Sequence, residues 1–225
     1  TIISLVKLCR QWKPDIVVAH GFSEHLWGRY AALWAGVPHT VMVEHNSRER
    51  YGIWRLMQAR WLAARTDRLV ACSEGVKSRL LDLGMPAHRC ITLDNGIRLD
   101  PFVRSEPRPA SQRNAGVIMA ARFARQKDHA TLIKAIALLK QEGLEVSVQL
   151  AGAGRLAHEN AIRALCRQCG VEDQVSFLGR VDDVPQRLQA HRVCVLSTHY
   201  EGQPLALLEG MAAGCAVVGS RVVGV

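Results

Sequence analysis

Hydrophobic positions follow two alternating patterns along the chain. Short runs rich in β-branched residues recur, and between most of them lie segments whose apolar residues repeat every three to four positions. The short runs predict β-strands, and the periodic segments predict α-helices. The predicted strands lie near residues 15–20, 40–43, 68–72, 90–93, 116–121, 145–150, 175–178, 193–196 and 216–219. This alternation is typical of parallel sheets with right-handed crossovers, so we predict the doubly wound α/β class.

The alternation stops between residues 101 and 114, where apolar periodicity disappears and prolines cluster. Such a segment is typical of a linker. We therefore predict two domains, at residues 1–100 and 115–225. The first begins on a helix without the strand that would precede it, and the second stops after a strand and a glycine-containing turn. We expect both domains to be incomplete.

The composition is that of a globular protein. Hydrophobic residues make up 48% of the 225 residues, enough to build packed cores. The longest apolar runs fall well short of the roughly 20 residues that a membrane-spanning helix needs, and the N-terminus lacks a signal-peptide pattern. The seven cysteines follow no disulfide-framework spacing, and Cys166 and Cys169 lie in a helical pattern without a second pair. We therefore expect a cytoplasmic protein whose cysteines are structural.

Positive charge leans toward the first half of the chain. The formal net charge is +9, and six arginines lie between residues 48 and 68 among aromatic and apolar residues. A basic helix of this kind fits adsorption to an anionic membrane surface or binding of a phosphorylated acceptor. The other interpretation is a solvated face over a buried apolar stripe. We expect no nucleic-acid partner, and we predict that any adsorption at the inner face of a membrane depends on Arg55, Arg60 and Trp61.

The strongest chemical signal is the segment from His199 to Gly214, His-Tyr-Glu-Gly-Gln-Pro-Leu-Ala-Leu-Leu-Glu-Gly-Met-Ala-Ala-Gly. Pro204 suits the first turn of a helix, and Gly214 suits its end. Because the helix follows a strand, we expect its N-terminus to face the strand ends, where backbone N–H groups and the helix dipole attract an anion. The N–H groups expected there belong to Gln203, Leu205 and Ala206.

Two carboxylates flank the start of this helix. Glu201 lies just before it, and Glu209 lies within it, so the two can address different parts of one ligand. An anion site with acids beside it suits a sugar diphosphate, because phosphates need hydrogen-bond donors and sugar hydroxyls need acceptors.

This pattern resembles a known family. Two glutamates separated by seven residues, with Gly-x-Pro after the first and Met-Ala-x-Gly after the second, resemble the signature of the family 4 retaining glycosyltransferases. The resemblance implies the GT-B fold, in which two doubly wound, Rossmann-like domains face a cleft, the first on the acceptor side and the second binding the nucleotide sugar. It implies that Glu201 lies by the donor sugar at the catalytic centre and that Glu209 binds the ribose. Donor contacts are implied for Gly202, Gln203, Pro204 and Leu205.

Two cations agree with this interpretation. The predicted strand ending at residue 121 is followed by Arg122-Phe-Ala-Arg-Gln-Lys127. Ligands of doubly wound sheets bind beyond the strand ends, where Arg122 and Lys127 can neutralise a diphosphate without a metal ion. The resemblance implies the same role for both. No Asp-x-Asp clamp or His-Glu-x-x-His helix occurs in the sequence, so we expect no metal and no cofactor, with the nucleotide sugar as substrate.

Further donor contacts rest on shorter segments. The residues Ala-Gly-Ala-Gly-Arg at 151–155 follow a strand and open a helix, so Gly152 either approaches phosphate or ribose or serves a tight turn. The segment Phe-Leu-Gly-Arg at 177–180 resembles the family segment that meets the nucleotide base. The resemblance implies donor contacts for Leu178 and Arg180.

Histidines mark two strand ends in the first domain. His20 and Gly21 follow one predicted strand, and His45 follows the next. All three resemble acceptor-side positions of the family, and His45 resembles a histidine that reaches the donor sugar, which implies a catalytic role. A lone histidine is also commonly structural.

The resemblance implies a glycosyltransferase that moves a hexose-type sugar from UDP or GDP to a glycan or lipid-linked acceptor with retention, in cell-surface polysaccharide or glycolipid synthesis. Two alternatives stay open. A sugar-nucleotide epimerase shares the fold, and an inactive module could bind a sugar nucleotide or a membrane surface without catalysis.

Overall fold

Each predicted strand is present in the computed structural model, which describes residues 2–48, 51–103 and 109–225. The strands are β1 Ile16–His20, β2 His39–Glu44, β3 Arg68–Ala71, β4 Cys90–Thr92, β5 Asn114–Ala120, β6 Val148–Ala151, β7 Val175–Gly179, β8 His191–Leu196 and β9 Ala216–Gly219. The helices are α1 Ile2–Trp12, α2 Phe22–Ala35, α3 Ile53–Ala63, α4 Glu74–Asp82, α5 Asp100–Val103, α6 His129–Gln141, α7 Leu156–Gln168, α8 Val184–Ala190 and α9 Leu205–Ala212. Within these described ranges, no helix is both long enough and apolar enough to cross a bilayer.

The strands form two parallel sheets. The first has the order β1-β2-β3-β4, and the second has the order β7-β6-β5-β8-β9. The predicted α/β class with two parallel-sheet domains is therefore confirmed. In the second sheet the strand order reverses between β5 and β8, which is the doubly wound arrangement. The four described strands of the first sheet follow one another in a single direction.

The chain divides into two compact units. Unit 1 contains the residues up to Asn95 together with Tyr200–Gln203 and Val223–Val225, and unit 2 contains Gly96–His199 and Pro204–Val222. The predicted linker at 101–114 holds most of α5 and a 3-10 turn at Ala110–Gln112, while its residues 104–108 lie outside the described ranges. Both described elements of this segment belong to unit 2.

Unit 1 has its core between the first sheet and helices α2, α3 and α4. Met42 and Leu69 contribute from the sheet, and Leu26, Leu62 and Leu80 contribute from the helices. All five side chains are buried, so the face of each helix that meets the sheet is apolar.

Unit 2 has a separate core around β5, β6 and β8. Ile118, Leu150 and Leu196 come from these strands, and Ile133 comes from α6. The Asp128 carboxylate caps α6 by accepting the N–H of Thr131 at 3.2 Å, as the sequence predicts. This cap fixes where the loop after β5 ends.

Candidate functional site

The carboxyl ends of β5 and β8 lie side by side where the strand order of the second sheet reverses. Doubly wound sheets bind their ligands in the crevice beyond the strands at such a point. The loops after these strands are bonded to each other: the N–H of Asp128 donates to the Ser197 carbonyl at 3.0 Å, and the N–H of His199 donates to the Gln126 carbonyl at 2.9 Å. Both loops are therefore held in place at the position where this fold class binds ligands.

Arg122 and Lys127 lie in the loop after β5. Arg122 is exposed, and Lys127 is half-buried. The backbone of Lys127 is fixed on both sides, because its N–H donates to the Ala124 carbonyl at 3.0 Å and its carbonyl accepts the N–H of His129 at 3.0 Å. The structure thus puts both predicted cations in a loop at the reversal point, with the main chain of Lys127 held rigidly.

Helix α9 follows β8 and starts at Leu205. The sequence predicts Pro204 in its first turn, whereas the structure places Pro204 one residue earlier, as the N-cap in extended backbone with φ −77° and ψ 114°. No side chain from the described residues caps this end of the helix, and Leu205 is exposed. An uncapped helix N-terminus near the reversal point fits the predicted anion site.

Glu209 lies on α9 and is half-buried. Burial raises the pKa of its carboxyl above the ordinary value of 4.5. Hydrogen bonds to the ionised form of a desolvated carboxylate are strong, so hydroxyl groups of a bound ligand would stabilise it. These are the properties expected of a group that accepts hydrogen bonds from ribose.

Two glycines let the loops after β5 and β6 touch. A Cβ atom on Gly152, whose φ is +151°, would lie 2.1 Å from the carbonyl oxygen of Ala121. A Cβ atom on Gly154 would lie 2.2 Å from the carbonyl oxygen of Phe123. The close approach of the two loops in a tight turn therefore explains the glycines of the Gly-x-Gly segment. A donor contact at Gly152 stays a prediction.

Leu178 and Arg180 lie at the same carboxyl edge, at the end of β7. Leu178 is half-buried in the strand, and Arg180 is exposed just after it. The N–H of Gly152 donates to the Gly179 carbonyl at 2.8 Å, which ties the end of β7 to the loop after β6. Base contacts by Leu178 and Arg180 stay predictions.

In unit 1, two of the predicted histidines meet. The Nδ1 atom of His20 and the Nε2 atom of His45 lie 2.8 Å apart, and the rings stack with centroids 5.1 Å apart. The backbone around this pair is held by neighbours: the Glu44 carboxylate accepts the N–H of His45 at 3.0 Å, and Gly21 begins α2 with φ 76°. Partial burial, and then the neighbouring His20, lower the pKa of His45 below its ordinary value of 6.5.

We expect His20→Asn to raise the pKa of His45 only part of the way to 6.5, because burial is the larger cause of the shift. An NMR titration of the His45 ring protons measures this, with the exposed His88→Asn as a control that leaves the pKa unchanged. In the wild type, the pKa of His45 is lower in the folded chain than in the unfolded chain, so the unfolded chain takes up this proton at a higher pH. Unit 1 therefore loses stability as the pH falls from 6.5 toward the lowered pKa. An unchanged or lower His45 pKa in His20→Asn contradicts the assignment.

The segment Tyr200–Gln203, which carries Glu201, belongs to unit 1. The hydroxyl of Ser73 donates to the Gly202 carbonyl at 2.7 Å. A Cβ atom on Gly202 would lie 2.0 Å from the carbonyl oxygen of His45, so this segment passes in direct contact with the end of β2. Glu201 itself is buried, with 6% of its surface exposed.

Asn95 fixes the other end of this segment. Its side-chain amide donates to the Gln203 carbonyl at 3.1 Å, and its backbone N–H donates to the Gln203 side-chain oxygen. Gln203, predicted as a donor contact through its backbone, therefore also has a positioning role. The sequence does not predict the contacts of Ser73 and Asn95 with this segment, since a residue pair more than 100 positions apart leaves no local pattern. The predicted site residues thus fall into two groups, with Glu201, Gly202, Gln203 and the histidines in unit 1 and the cations and Glu209 in unit 2.

Two family models match nearly the whole chain. The model described as Glycosyltransferase Family 4 matches residues 1–101, and the model described as Glycosyl transferases group 1 matches residues 114–225. Among curated proteins, EpsF of Bacillus subtilis is 33% identical over 199 residues, which cover 82% of this chain and 51% of EpsF.

Two further relatives carry names that state a reaction. The UDP-Gal:alpha-D-GlcNAc-diphosphoundecaprenol alpha-1,3-galactosyltransferase of Escherichia coli is 27% identical over 243 residues, covering 100% of this chain and 62% of that protein. The GDP-mannose:cellobiosyl-diphosphopolyprenol alpha-mannosyltransferase of Komagataeibacter xylinus is 31% identical over 160 residues, covering 69% of this chain and 39% of that protein. The chain thus spans between 39% and 62% of the length of these relatives.

Solved structures match the fold. HepE of Anabaena, crystallised with UDP, has a TM-score of 0.85 at 20% identity, covering 99% of this chain and 64% of HepE. The apo lipopolysaccharide outer core galactosyltransferase WaaB has a TM-score of 0.70 at 20% identity, covering 99% of this chain and 60% of WaaB. The predicted GT-B fold is confirmed by these likenesses.

Proposed function

Because the chain belongs to the family 4 glycosyltransferases, with a second domain of the group 1 type, we propose that the whole protein transfers a hexose from a nucleotide diphosphate to a glycan or lipid-linked acceptor. The observation that carries this proposal is the arrangement at the strand-order reversal of unit 2. Two cations follow β5 there, and an uncapped helix N-terminus and a half-buried carboxylate follow β8. The phosphates of a nucleotide sugar would meet the two cations and the helix N-terminus. Its hydroxyl groups would meet the carboxylate.

The donor that we propose is a UDP- or GDP-linked hexose. HepE was crystallised with UDP, while the names of the two relatives above specify UDP-Gal and GDP-mannose. The diphosphate would meet Arg122, Lys127 and the start of α9, and the ribose would meet Glu209. Leu178, Arg180 and Gly152 are proposed to lie around the base and ribose.

The acceptor that we propose is a sugar carried on a polyprenyl diphosphate. The names of the Escherichia coli and Komagataeibacter xylinus relatives both contain such a lipid. A polyprenyl chain lies in a membrane, so we propose that the protein works at the cytoplasmic face in contact with anionic lipid. His20, Gly21 and His45 are proposed to face the acceptor.

The chemistry that we propose needs no metal ion or cofactor. The bond between sugar C1 and the phosphate oxygen breaks, its electron pair leaves with the diphosphate, and the acceptor oxygen bonds to C1. Arg122, Lys127 and the α9 N-terminus stabilise the charge that develops on the diphosphate. Glu201 positions the donor sugar, and the acceptor proton leaves with the diphosphate oxygen.

Retention is the stereochemical outcome that we propose from the family resemblance. In that case the acceptor oxygen bonds to the face of C1 from which the diphosphate departs, and the product keeps the anomeric configuration of the donor. The anomeric coupling constant of the isolated product, measured by NMR, decides this point. An inverted anomer refutes the retaining assignment and leaves the transferase assignment standing.

A transfer assay tests the proposal. The chain, and a version extended at both ends, are incubated with labelled UDP- and GDP-sugars and polyprenyl diphosphate-linked sugars, and we expect label in the lipid fraction. Nucleotide binding by the extended chain without transfer refutes the proposed activity. Conversion of the nucleotide sugar to its epimer without acceptor supports the alternative enzyme class instead.

A further inference from the structure

A buried histidine of unit 2 lies against the loop that carries both predicted cations. We call residues 121–127 the cation loop. His129, the first residue of α6, is 2% exposed, and its ring stacks on Phe123 of the cation loop with centroids 4.4 Å apart and planes 14° apart. Phe123 in turn stacks on Phe177 of β7, with centroids 5.9 Å apart. The His129 ring is therefore fixed against the loop that we propose to bind the diphosphate.

One ring nitrogen of His129 is a hydrogen-bond donor. Its Nδ1 atom lies 3.1 Å from the carbonyl oxygen of Lys127. A carbonyl oxygen only accepts hydrogen bonds, so Nδ1 carries a proton. In the neutral ring, Nε2 then holds a lone pair, and this atom is buried without a hydrogen-bond partner among the described residues. A buried polar atom without a partner is unfavourable, so its presence beside the cation loop requires a physical explanation.

Burial keeps this ring neutral in the free protein. Desolvation is the largest influence on the pKa of His129 and lowers it below the ordinary value of 6.5. The ammonium group of Lys127 lowers the pKa further. His129 also lies at the N-terminus of α6, where the positive end of the helix dipole disfavours a cation. At neutral pH the ring therefore has one N–H, which donates to the Lys127 carbonyl.

Other groups of the same segment favour a second proton. Although burial has the larger effect, the backbone carbonyls of Lys127 and Ala121 and the carboxylate of Asp128 all act to raise the pKa of His129. Ala121 and Lys127 are the two ends of the cation loop. A neutral imidazole has one N–H and an imidazolium has two, so only the protonated ring can donate to both carbonyls.

A bound diphosphate would change this balance. The Lys127 ammonium group opposes protonation of His129, and it is one of the two cations that we propose to neutralise the diphosphate. An anion bound at Lys127 offsets that positive charge and adds negative charge near the ring, which favours the imidazolium. Donor binding and protonation of His129 are thus coupled through Lys127.

A polar cavity beside the ring connects it to solvent. The cavity has a volume of about 170 Å³, and its titratable lining residues are Arg125, Lys127, Asp128, His129, His158 and His199. A polar cavity of this size holds water, so solvent can supply the proton. His199 also lies near the Asp128 carboxylate, with Nδ1 and Oδ2 3.8 Å apart. Any test must therefore separate His129 from the two other histidines of the cavity.

We propose that His129 is a positioning residue that takes up a proton from water when the nucleotide sugar binds, and that it then donates to the carbonyls of both Ala121 and Lys127. In the free protein a single ring N–H holds the cation loop. In the complex the imidazolium fixes both ends of the loop, so that Arg122 and Lys127 stay against the diphosphate. This inference rests on the proposed function, because it requires a diphosphate at Lys127.

Calorimetry measures the proton uptake directly. UDP-glucose and GDP-mannose are titrated into the whole protein in two buffers that differ in ionisation enthalpy. The phosphates of both ligands are esterified, so neither ligand carries a phosphate proton that titrates near neutral pH. We expect net uptake of a fraction of a proton on binding. The affinity of the wild type should accordingly rise as the pH is lowered from about 7.5 to about 6, by at most about tenfold per pH unit.

His129→Asn is the variant that isolates this effect. The asparagine amide N–H can still donate to the Lys127 carbonyl, but the amide takes up no proton near neutral pH. We expect the variant to lose the proton uptake and to bind UDP-glucose about 3- to 10-fold more weakly than the wild type at about pH 6, with less than about a twofold difference at about pH 8. Protonation of Glu209 acts on affinity in the opposite direction, but it occurs in both proteins and cancels in the comparison.

Two further measurements serve as controls. His158→Asn removes a titratable ring from the same cavity, and both the proton uptake and the affinity should stay at the wild-type values. An NMR titration of the His129 ring in the wild type needs no variant, and bound UDP-glucose should raise the pKa of this ring.

Three outcomes overturn the proposal. The first is equal proton uptake in the wild type and in His129→Asn, and the second is an unchanged His129 pKa in the complex. The third is a loss of affinity in His129→Asn that is the same at every pH, which is the result of a purely structural role. Failure of the donor site gives a different result, since the wild type then binds neither nucleotide sugar at any pH, which refutes this inference together with the proposed site.

Discussion

Replacing Lys127 by alanine is expected to weaken binding of UDP and GDP by about 10- to 100-fold, the loss of one or two charge-assisted hydrogen bonds to phosphate. The main chain of Lys127 is held by Ala124 and His129, and its loop is bonded to the loop after β8. Alanine therefore removes the ammonium group with little change in the backbone. Isothermal titration with each nucleotide measures the affinity.

Arg125 provides the matched control for this experiment. It lies in the same loop and is exposed, so Arg125→Ala removes the same charge two residues away from the proposed contact. We expect a change of less than about threefold, from long-range attraction alone. A loss in Arg125→Ala equal to that in Lys127→Ala would mean that the loop contributes only general positive charge.

Glu209 gives an independent measurement at the same site. Glu209→Ala should weaken nucleotide binding by about tenfold through loss of hydrogen bonds from ribose hydroxyls. A 2′,3′-dideoxy nucleotide lacks these hydroxyls, so it should bind the variant and the wild type with the same affinity. Since burial raises the pKa of this carboxyl, the wild-type affinity should fall as the pH is lowered toward that raised pKa, because the protonated form accepts hydrogen bonds less strongly. Unchanged affinity in both Lys127→Ala and Glu209→Ala refutes the donor site.

The strands and the chemistry of unit 2 could be predicted because their signals are local. The run 116–121 is β-branched and apolar enough to predict β5, and the cations follow it directly in sequence. The order of strands in a sheet has no such local signal. The reversal between β5 and β8, which gives Lys127 its position, therefore becomes visible only in the structure.

Long-range contacts explain what the sequence did not predict. Tyr200–Gln203 falls in a different unit from Glu209 because Ser73 and Asn95 bind it, and those contacts join residues more than 100 positions apart. The exposure of Trp27 and Trp34 on α2 has no local signal either, because their spacing also suits a core-facing helix, so only the observed burial shows it. The linker prediction missed α5, a four-residue helix too short to give a periodic signal.

Gly202→Ala is expected to reduce transfer by at least about 100-fold, because it displaces the segment that carries Glu201. The new Cβ would lie 2.0 Å from the His45 carbonyl oxygen and 2.8 Å from the Cys72 sulfur. Gly224 closes the other side, since a Cβ there would lie 2.1 Å from the Gly202 carbonyl oxygen. The segment must shift, which breaks the bond from Ser73 and costs about 2–4 kcal/mol of unfolding free energy in unit 1.

Three measurements identify this mechanism. Gly96→Ala, at a glycine with no atom within 4 Å of the added Cβ, should leave both transfer and melting temperature close to wild type. UDP affinity of Gly202→Ala should fall less than that of Lys127→Ala, because Lys127 and Glu209 belong to unit 2 and only the contacts expected from Gly202 and Gln203 are displaced. Adding Cys72→Ala to Gly202→Ala should not restore transfer, because the closer contact of the new Cβ is with the carbonyl oxygen of His45, which no side-chain substitution removes. Full activity in Gly202→Ala would show that the position of this segment in unit 1 is not required for catalysis.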